Sequence, residues 1–302
     1  MNEEIAHNES CIRDVLSYNR IEVRDIQAVI GPAVSQYKVF LVPGVKCSKV
    51  KELAEDFAMA MGVISVRVVT LLDCMAIEVP NRTRHDVPLQ GMMESKAFQE
   101  STAKLPLIIG YTIDQKVKVI DLADEQHILV AGATKQGKTM CLKGLRACLE
   151  AKKSPSELQI VWIDPKARDA QIPMIVETLE GLCAEMDRRL TEEVRLPYIV
   201  CFVDEFADLK PSRKAMTAII RLAQKGRHAG IHMIIATQRP TVDVISGLIK
   251  VNFPTRIAFR TCSRIDSTAI LDMPGAEKLI GNGDLLFMSG VEVERMQCGY
   301  ID

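Results

Sequence analysis

The chain has 302 residues, of which 48% are apolar and 25% are charged, and its formal net charge is −1. This length allows about two domains, each with its own core, and the near-zero charge excludes a uniformly basic nucleic-acid binder, so a polyanion would have to meet a local patch or a pore. The nine cysteines include no C-x-x-C pair, which favours reduced thiols in a cytoplasmic protein over disulfides or zinc ligands.

The first part of the chain is typical of a small α+β domain. Apolar patterning predicts strands near Val39–Leu41, over 65–72 and over 76–79, and a helix over 49–61. No segment here carries a catalytic constellation, so we expect an accessory domain over residues 1–116.

Short apolar runs alternate with helical stretches in the second part of the chain. Because several runs are apolar throughout, they indicate strands buried on both faces of a mostly parallel sheet flanked by helices. We therefore expect an α/β domain over residues 117–302. The five runs lie at 127–132, 158–164, 197–205, 231–238 and 255–260.

A glycine-bounded loop between the first of these strands and the next helix is typical of a P-loop. Its glycines let backbone N–H groups turn toward phosphate oxygens, and the helix N-terminus adds positive potential. Lys138 would bridge the terminal phosphates, and the Thr139 hydroxyl would bind Mg²⁺. The pattern predicts a nucleoside triphosphate as the ligand, held by Gly132, Ala133, Thr134, Lys135, Gln136, Gly137, Lys138 and Thr139.

Polar residues at the ends of two further strands complete a predicted catalytic site. Asp204 would hold the magnesium ion, and Glu205 would orient and activate the attacking water. Gln238, after the next strand, would sense the γ-phosphate or position water. A pair of solvated acids at a strand end is the simpler alternative, which the nearby P-loop disfavours.

A basic segment after these acids suggests a source of positive charge for the transition state. Phosphoryl transfer can use an arginine from a neighbouring subunit. Arg227 is the first candidate and Arg221 the second; the alternative is a solvated basic helix face.

The second half resembles the motor of the FtsK/SpoIIIE family of double-stranded DNA translocases. The resemblance rests on 201–209, 221–225, 228–232, 236–250, 252–259, 265–267, 270–272, 275–277 and 281–284. The first half is similar too, at 30–34, 42–46, 65–68 and 78–81, so the resemblance covers nearly the whole chain. It implies a RecA-like P-loop ATPase domain preceded by a smaller α+β domain. It also implies a hexameric ring that pumps duplex DNA in chromosome segregation, cell division or DNA transfer, with ATP at each subunit junction.

The resemblance assigns further roles by position. Arg227 falls at the family's trans-acting arginine finger. Arg239, Lys250 and Arg264 fall where the family contacts DNA phosphates, which grip without reading sequence.

The chain also departs from the family pattern. Lys135 replaces a P-loop glycine, which would cost about 1–2 kcal/mol if the position needs a positive φ. The segment 166–197 is shorter than expected, so either the chain is a trimmed paralogue or loops are missing from the sequence. Thr268 stands where the family has a further pore arginine.

Other functions remain open at this point. A conjugative coupling-type ATPase belongs to the same superfamily, and a protein-secretion ATPase has a similar fold. A non-hydrolysing module that binds ATP or DNA is a third alternative, suggested by Lys135 and the short segment. The resemblance further predicts an isolated motor, without the family's winged-helix domain and membrane anchor, that is cytoplasmic and makes no membrane contact itself.

Overall fold

The computed structural model describes residues 2–85 and 87–301. The chain divides into two compact units, Met1–Asp86 with Tyr111–Lys116, and Val87–Gly110 with Val117–Asp302. The predicted boundary after residue 116 stays a prediction. Compactness groups residues 87–110 with the second unit.

The first unit is an α+β sandwich of one sheet and three helices in the described residues. Its antiparallel strands are ordered β1-β2-β4-β3. Ile12, Tyr37 and Phe57 are fully or almost fully buried in the shared core. The elements are α1 (Asn2–Tyr18), β1 (Val23–Ile30), β2 (Val34–Leu41), α2 (Cys47–Glu52), α3 (Ala54–Met61), β3 (Arg67–Thr70) and β4 (Met75–Pro80).

The predicted helix over 49–61 is wrong as a continuous helix. Leu53, with φ −81° and ψ 9°, separates α2 from α3. Its N–H donates to the Val50 carbonyl oxygen in a tighter turn. The apolar spacing identified both helices but not the break between them.

The second unit holds the remaining elements, except that the last two residues of β5 group with the first unit. Its first helices and strands are α4 (Leu89–Met93), α5 (Lys96–Gln99), β5 (Pro106–Thr112), β6 (Val117–Asp121), α6 (Leu122–Glu125), β7 (Ile128–Ala131), α7 (Lys138–Lys152), β8 (Leu158–Ile163), α8 (Ile172–Glu192) and β9 (Tyr198–Val203). They are followed by α9 (Arg213–Lys225), β10 (Ile231–Thr237), α10 (Gly247–Asn252), β11 (Thr255–Phe259), α11 (Arg264–Leu271), β12 (Asp284–Ser289) and β13 (Glu292–Gln297). Short 3₁₀ turns lie at Phe206–Leu209, Gly226–Ala229 and Ala276–Lys278.

The large sheet has the strand order β6-β5-β13-β12-β11-β7-β10-β9-β8 within the described residues. The strands β11, β7, β10, β9 and β8 are parallel neighbours, and β12 and β13 extend the sheet antiparallel. The four inner parallel strands are almost entirely buried, whereas β8 at the edge is only partly so. The predicted α/β class, a mostly parallel sheet flanked by helices after a smaller α+β domain, is confirmed.

Parallel strands bring the ends of β7, β9 and β10 to one edge of the sheet, and this positions the site. The amphipathic helices α8 and α9 cover the sheet with buried residues such as Leu179, Met186 and Leu222. Burying each such side chain contributes about 1.5–3 kcal/mol. The packed helices thereby fix the loops that follow the strands.

Candidate active site

The P-loop connects β7 to α7, and its backbone requires residues that tolerate positive φ. Gly132 has φ 152° and Gly137 has φ 117°. A Cβ atom at Gly132 would lie 2.7 Å from the Cβ atom of Phe259 in β11. Lys135 has φ 60°. The lysine therefore occupies the left-handed conformation, which is strained for a residue other than glycine.

Neighbouring backbone holds the P-loop in place. The Ala133 N–H donates to the Arg260 carbonyl oxygen at 2.8 Å, and the Gly283 N–H donates to the Gln136 carbonyl oxygen at 3.1 Å. Gly283 has φ 88° and precedes Asp284, whose carboxylate forms a buried ion pair with Arg295 at 2.6 Å. The turn before β12 therefore supports the phosphate-binding loop, a role that the sequence motif did not reveal.

Lys138 is buried at the start of α7, with 5% of its surface exposed. Its ammonium donates to the carbonyl oxygens of Gly132, at 2.8 Å, and of Ala133. Burial lowers the pKa of Lys138 to about 8, although the nearby charges of Glu205 and Asp204 oppose that shift. Below that pKa the lysine carries a positive charge inside the loop, where phosphate oxygens would bind.

Asp204 follows β9 and is half-buried. Burial, followed by the charges of Asp164 and Glu205, raises the pKa of the Asp204 carboxyl, and Lys166 and Lys138 partly oppose the rise. A cation at this position would relieve the crowding of negative charge. No cluster of three or more His, Cys, Asp or Glu side chains in the described residues could hold a metal alone.

Glu205 is held more firmly than its neighbour. Only 1% of the residue is exposed, and its backbone is left-handed, with φ 63° and ψ 59°. Its carboxylate accepts hydrogen bonds from Thr237 Oγ1 at 2.8 Å and from the Gln238 N–H at 3.0 Å. The Lys166 ammonium lies 3.1 Å from Glu205 Oε2. The candidate water-activating carboxylate is thus fully engaged by its own chain.

Gln238 links this carboxylate to the P-loop. Its backbone N–H contacts Glu205, while its side-chain Oε1 accepts a hydrogen bond from Thr134 Oγ1 at 2.9 Å. Strand β10 lies directly beside β7, so Gln238, the residue after β10, lies next to the P-loop. Neither Thr237 nor Lys166 was identified from the sequence. Lys166 follows β8 as Asp204 follows β9, and that shared position after parallel strands was the available signal.

Arg227 lies far from this edge. It is exposed on the 3₁₀ turn that precedes β10, whereas Gln238 follows the end of the same strand. The seven residues of β10 separate the two positions by about 20 Å. Arg227 is instead near His127, the residue before β7, whose pKa its charge helps to lower. The structure therefore does not bring Arg227 to the P-loop of its own chain.

A buried arginine supports the turn that carries Arg227. Arg189 Nη1 donates to the carbonyl oxygens of Pro197 at 2.7 Å and Ala229 at 3.1 Å, and its Nε contacts Glu185 Oε1 at 2.7 Å. Arg221, the second candidate, is paired with Asp187 at 2.6 Å. Arg221 therefore forms an ion pair at the surface of its helix, which is consistent with the alternative interpretation of this segment as a solvated basic helix face.

The three predicted DNA contacts differ in their surroundings. Arg239 is 66% exposed in its side chain and lies 3.6 Å from Asp208, beside a cleft of about 740 Å³ that also contacts Thr134 and Gln238. Arg264 is exposed at the start of α11. Lys250 is paired with Asp272 at 2.7 Å, so a phosphate would have to compete with that carboxylate.

Comparison with protein families covers both units. A model described as the FtsK alpha domain matches residues 1–81, and a model described as the FtsK/SpoIIIE family matches residues 88–194 and 182–242. The chain belongs to the FtsK/SpoIIIE family. The resemblance inferred from motifs such as 201–209 is confirmed.

Curated FtsK/SpoIIIE relatives are similar over most of this chain. A DNA translocase FtsK from Chlorobaculum tepidum is 34% identical over 98% of this chain and 43% of its own length. A DNA translocase SftA from Bacillus subtilis is 38% identical over 85% of this chain and 31% of its own length. The chain therefore spans less than half the length of these relatives.

Solved structures share the P-loop ATPase fold. The pCW3 conjugation coupling protein TcpA, in a monomer form with ATPgS, has a TM-score of 0.66 at 18% identity and covers 98% of this chain and 95% of its own. The cytoplasmic domain of the type VII secretion ATPase EccC from Thermomonospora curvata has a TM-score of 0.62 at 20% identity, covering 72% of this chain and 32% of its own. At these identities the likeness concerns the fold alone.

The FtsK/SpoIIIE family model matches this chain in two segments that overlap in one region. The 348 aligned positions in the Chlorobaculum tepidum comparison exceed the 302 residues of the chain, so that alignment contains gaps in this chain. The two segments of the family match overlap at residues 182–194, within the region 166–197 that was expected to be short. In the structure α8 runs through this point without a break, from Ile172 to Glu192.

The described part of the chain contains no helix that combines the length and apolar character needed to cross a membrane.

Proposed function

We propose that this chain is an ATP-driven motor that moves double-stranded DNA, and that it works as a hexameric ring. The observation that carries the proposal is the arrangement at one sheet edge. Lys138 begins the helix after β7, and Asp204 and Glu205 follow β9, so all three lie at the same sheet edge on either side of β10 in a chain of the FtsK/SpoIIIE family. Relatives that share this family are named DNA translocases.

Each side chain at this edge has a chemical task in ATP hydrolysis. The P-loop N–H groups and Lys138 would bind the phosphates and neutralise developing charge. Glu205 would orient the attacking water and accept its proton. A bound Mg²⁺ would be held by Thr139 and Asp204 and would supply positive charge that offsets the charge developing on the phosphates.

The positive charge that stabilises the transition state would come from a second copy of the chain. Arg227 is exposed on a firmly held turn, about 20 Å from its own P-loop along β10. In a ring, that turn of one copy would face the P-loop of the next. Each active site would then need two protomers, which explains why oligomerisation and hydrolysis would be coupled.

DNA would be held by backbone contacts. Arg239 and Arg264 are exposed after β10 and β11, and Lys250 would exchange Asp272 for a phosphate. Contacts of this kind bind any sequence and weaken as salt rises.

Phosphate release by the purified chain with ATP and Mg²⁺, with and without linear duplex DNA, tests this proposal. We expect DNA to stimulate turnover, and Lys138→Ala to lower the stimulated rate by a factor on the order of 10²–10³. Lys143→Ala is the matched control, because Lys143 is an exposed lysine of the same helix. Nucleotide binding without any turnover in the wild type would reject the motor and favour the non-hydrolysing module.

A further inference from the structure

A chain of charged side chains connects the exposed Arg239 to the buried Glu205. Arg239 Nη2 lies 3.6 Å from Asp208 Oδ1, and Asp208 Oδ2 lies 4.0 Å from Lys166 Nζ. Lys166 Nζ in turn lies 3.1 Å from Glu205 Oε2. We call these four residues, Arg239, Asp208, Lys166 and Glu205, the carboxylate relay.

The members of the carboxylate relay differ in how easily they can move. Glu205 is buried and contacts Thr237 and the Gln238 backbone at the end of a strand. Lys166 is 45% exposed in its side chain and lies in the loop between β8 and α8. Lys166 is therefore the partner of Glu205 that can leave without disturbing the sheet.

Contact with Lys166 opposes the catalytic task of Glu205. Lys166 and the Gln238 N–H contact Oε2 and Thr237 contacts Oε1, so the carboxylate has little room to accept a hydrogen bond from a water molecule. Release of Lys166 would free Oε2 for water while Thr237 and the Gln238 N–H keep the side chain oriented. Lys166 is thus placed to keep Glu205, the proposed general base, from contacting water.

Asp208 lies between two cations that compete for it. Arg239 attracts one of its oxygens and Lys166 approaches the other, and both distances exceed those of a close ion pair. A DNA phosphate that meets Arg239 in a close bidentate pair would compete with Asp208, because the 3.6 Å contact to that carboxylate is longer than a close ion pair. When Arg239 turns to DNA, the charge of Asp208 becomes available to Lys166.

We propose that Lys166 is a positioning residue that holds Glu205 inactive, and that DNA binding at Arg239 releases it by freeing Asp208 to take the lysine. This proposal rests on the proposed function, since it gives that function its DNA-dependent switch. No covalent step is involved; one ion pair is exchanged for another.

Phosphate release by a set of variants separates the carboxylate relay from a merely structural role. Lys166→Met removes the ammonium that contacts Glu205, so we expect the DNA-free turnover number to rise roughly 3- to 10-fold while the KM for ATP stays unchanged. Asp208→Asn removes the negative charge that attracts Lys166, so DNA stimulation falls by a similar factor at saturating DNA. Lys214→Met, an exposed lysine of α9, serves as the control and leaves both rates unchanged.

The double variant decides the order of action. If Asp208 acts through Lys166, the Lys166→Met/Asp208→Asn protein has the high DNA-free rate of Lys166→Met. A double variant that keeps a low DNA-free rate, like that of Asp208→Asn alone, overturns the proposal. So does a Lys166→Met protein whose DNA-free rate is not raised or whose KM for ATP increases.

A second readout does not depend on turnover. Lys166 is acylated with an N-hydroxysuccinimide ester, without nucleotide, and its peptide is quantified by mass spectrometry. We expect duplex DNA to raise the labelling rate roughly threefold in the wild type and to leave it unchanged in Asp208→Asn. Unchanged wild-type labelling overturns the carboxylate relay. Increased labelling without any ATP turnover supports the relay and rejects the motor, so the two failures are distinguishable.

Discussion

The two ends of the parallel strands hold their charged side chains in different ways. At the carboxyl ends, Lys138 and Glu205 are buried and hydrogen-bonded, and the surrounding backbone includes Lys135 and Glu205 in left-handed conformations. At the amino ends, Arg227 is exposed on a turn that Arg189 supports from beneath. The carboxyl edge is organised to bind a ligand, whereas the amino edge presents a cation outward.

This difference suggests that neither end is a complete active site. The carboxyl edge has phosphate-binding N–H groups, a lysine and carboxylates, but the candidate arginine finger lies at the other edge of the same unit. A second copy of the chain would join the two ends. Variants at each end of the strands test how far that end depends on the residues that hold it in place and on the other end.

Replacement of Arg227 is expected to have the largest effect. Arg227→Ala should lower DNA-stimulated phosphate release by about 10³-fold or more while leaving ATP affinity nearly unchanged, because a finger acts on the transition state. The matched control is Arg221→Ala, since Arg221 is paired with Asp187 on the surface of α9. Equal losses in both variants would contradict a specific role for Arg227.

The ion pair below the P-loop is expected to dominate stability at the carboxyl edge. Arg295 and Asp284 are each 2% exposed in their side chains, so Arg295→Met would leave the buried Asp284 carboxylate without its arginine partner. We expect the free energy of unfolding in urea to fall by about 3–5 kcal/mol. Arg188→Met, which removes exposed ion pairs within α8, should cost less than about 1 kcal/mol. Similar losses in the two variants would contradict the account.

The amino edge is expected to be sensitive to acid. Burial, together with His232, lowers the pKa of His127 to about 3, while an unfolded histidine titrates near 6.5. The unfolded state therefore binds the proton first, and stability falls as pH drops from about 6.5 toward 3, with a slope of up to about 1.4 kcal/mol per pH unit from this residue. Above pH 6.5 His127 adds no pH dependence.

Urea unfolding at pH 7.5 and pH 5.5 measures this contribution. The Nδ1 atom of His127 accepts the Met233 N–H at 2.9 Å, and an asparagine can keep that acceptor. His127→Asn should therefore lose less stability than the wild type between the two pH values. Equal losses would assign the acid sensitivity to other groups.

Relief of backbone strain in the P-loop is expected to have the smallest effect. Lys135 has φ 60° and is exposed, so Lys135→Gly should raise the free energy of unfolding by about 1 kcal/mol. Lys143→Gly, in the middle of α7, should lower it by a similar amount because glycine disfavours a helix interior. Destabilisation by Lys135→Gly would show that the lysine side chain makes a favourable contribution that exceeds the strain.

The carboxyl edge was more predictable from sequence than the amino edge or the rest of the sheet. Buried parallel strands have continuous apolar sequences, which makes them recognisable. The residues that follow such strands must meet at one edge of the sheet, and Lys138, Asp204 and Gln238 could therefore be predicted to lie together. The pairing of Lys166 with Glu205 was not predictable, because it depends on the path of an irregular loop. The support of Arg227 by Arg189 likewise depends on packing between distant segments.

The antiparallel extension of the sheet was also missed. Strand β13 is mostly polar and includes Arg295, which pairs with Asp284, so it lacks a continuous apolar run; β12 has the four-residue apolar run 285–288, which was overlooked. The break at Leu53 between α2 and α3 left no proline or glycine in the sequence to mark it. Local patterns revealed where strands run, but tertiary contacts decided where elements stop and which charges meet.

Mixing two inactive variants tests most directly whether the two strand ends form one site between protomers. Glu205→Ala lacks the carboxyl-edge base and Arg227→Ala lacks the amino-edge arginine, so each alone should be inactive. In an equal mixture, random assembly gives about one quarter of junctions with an intact Glu205 facing an intact Arg227. We predict DNA-stimulated phosphate release near that fraction of the wild-type rate. No recovery in mixed assemblies, verified to contain both variants, would contradict the account.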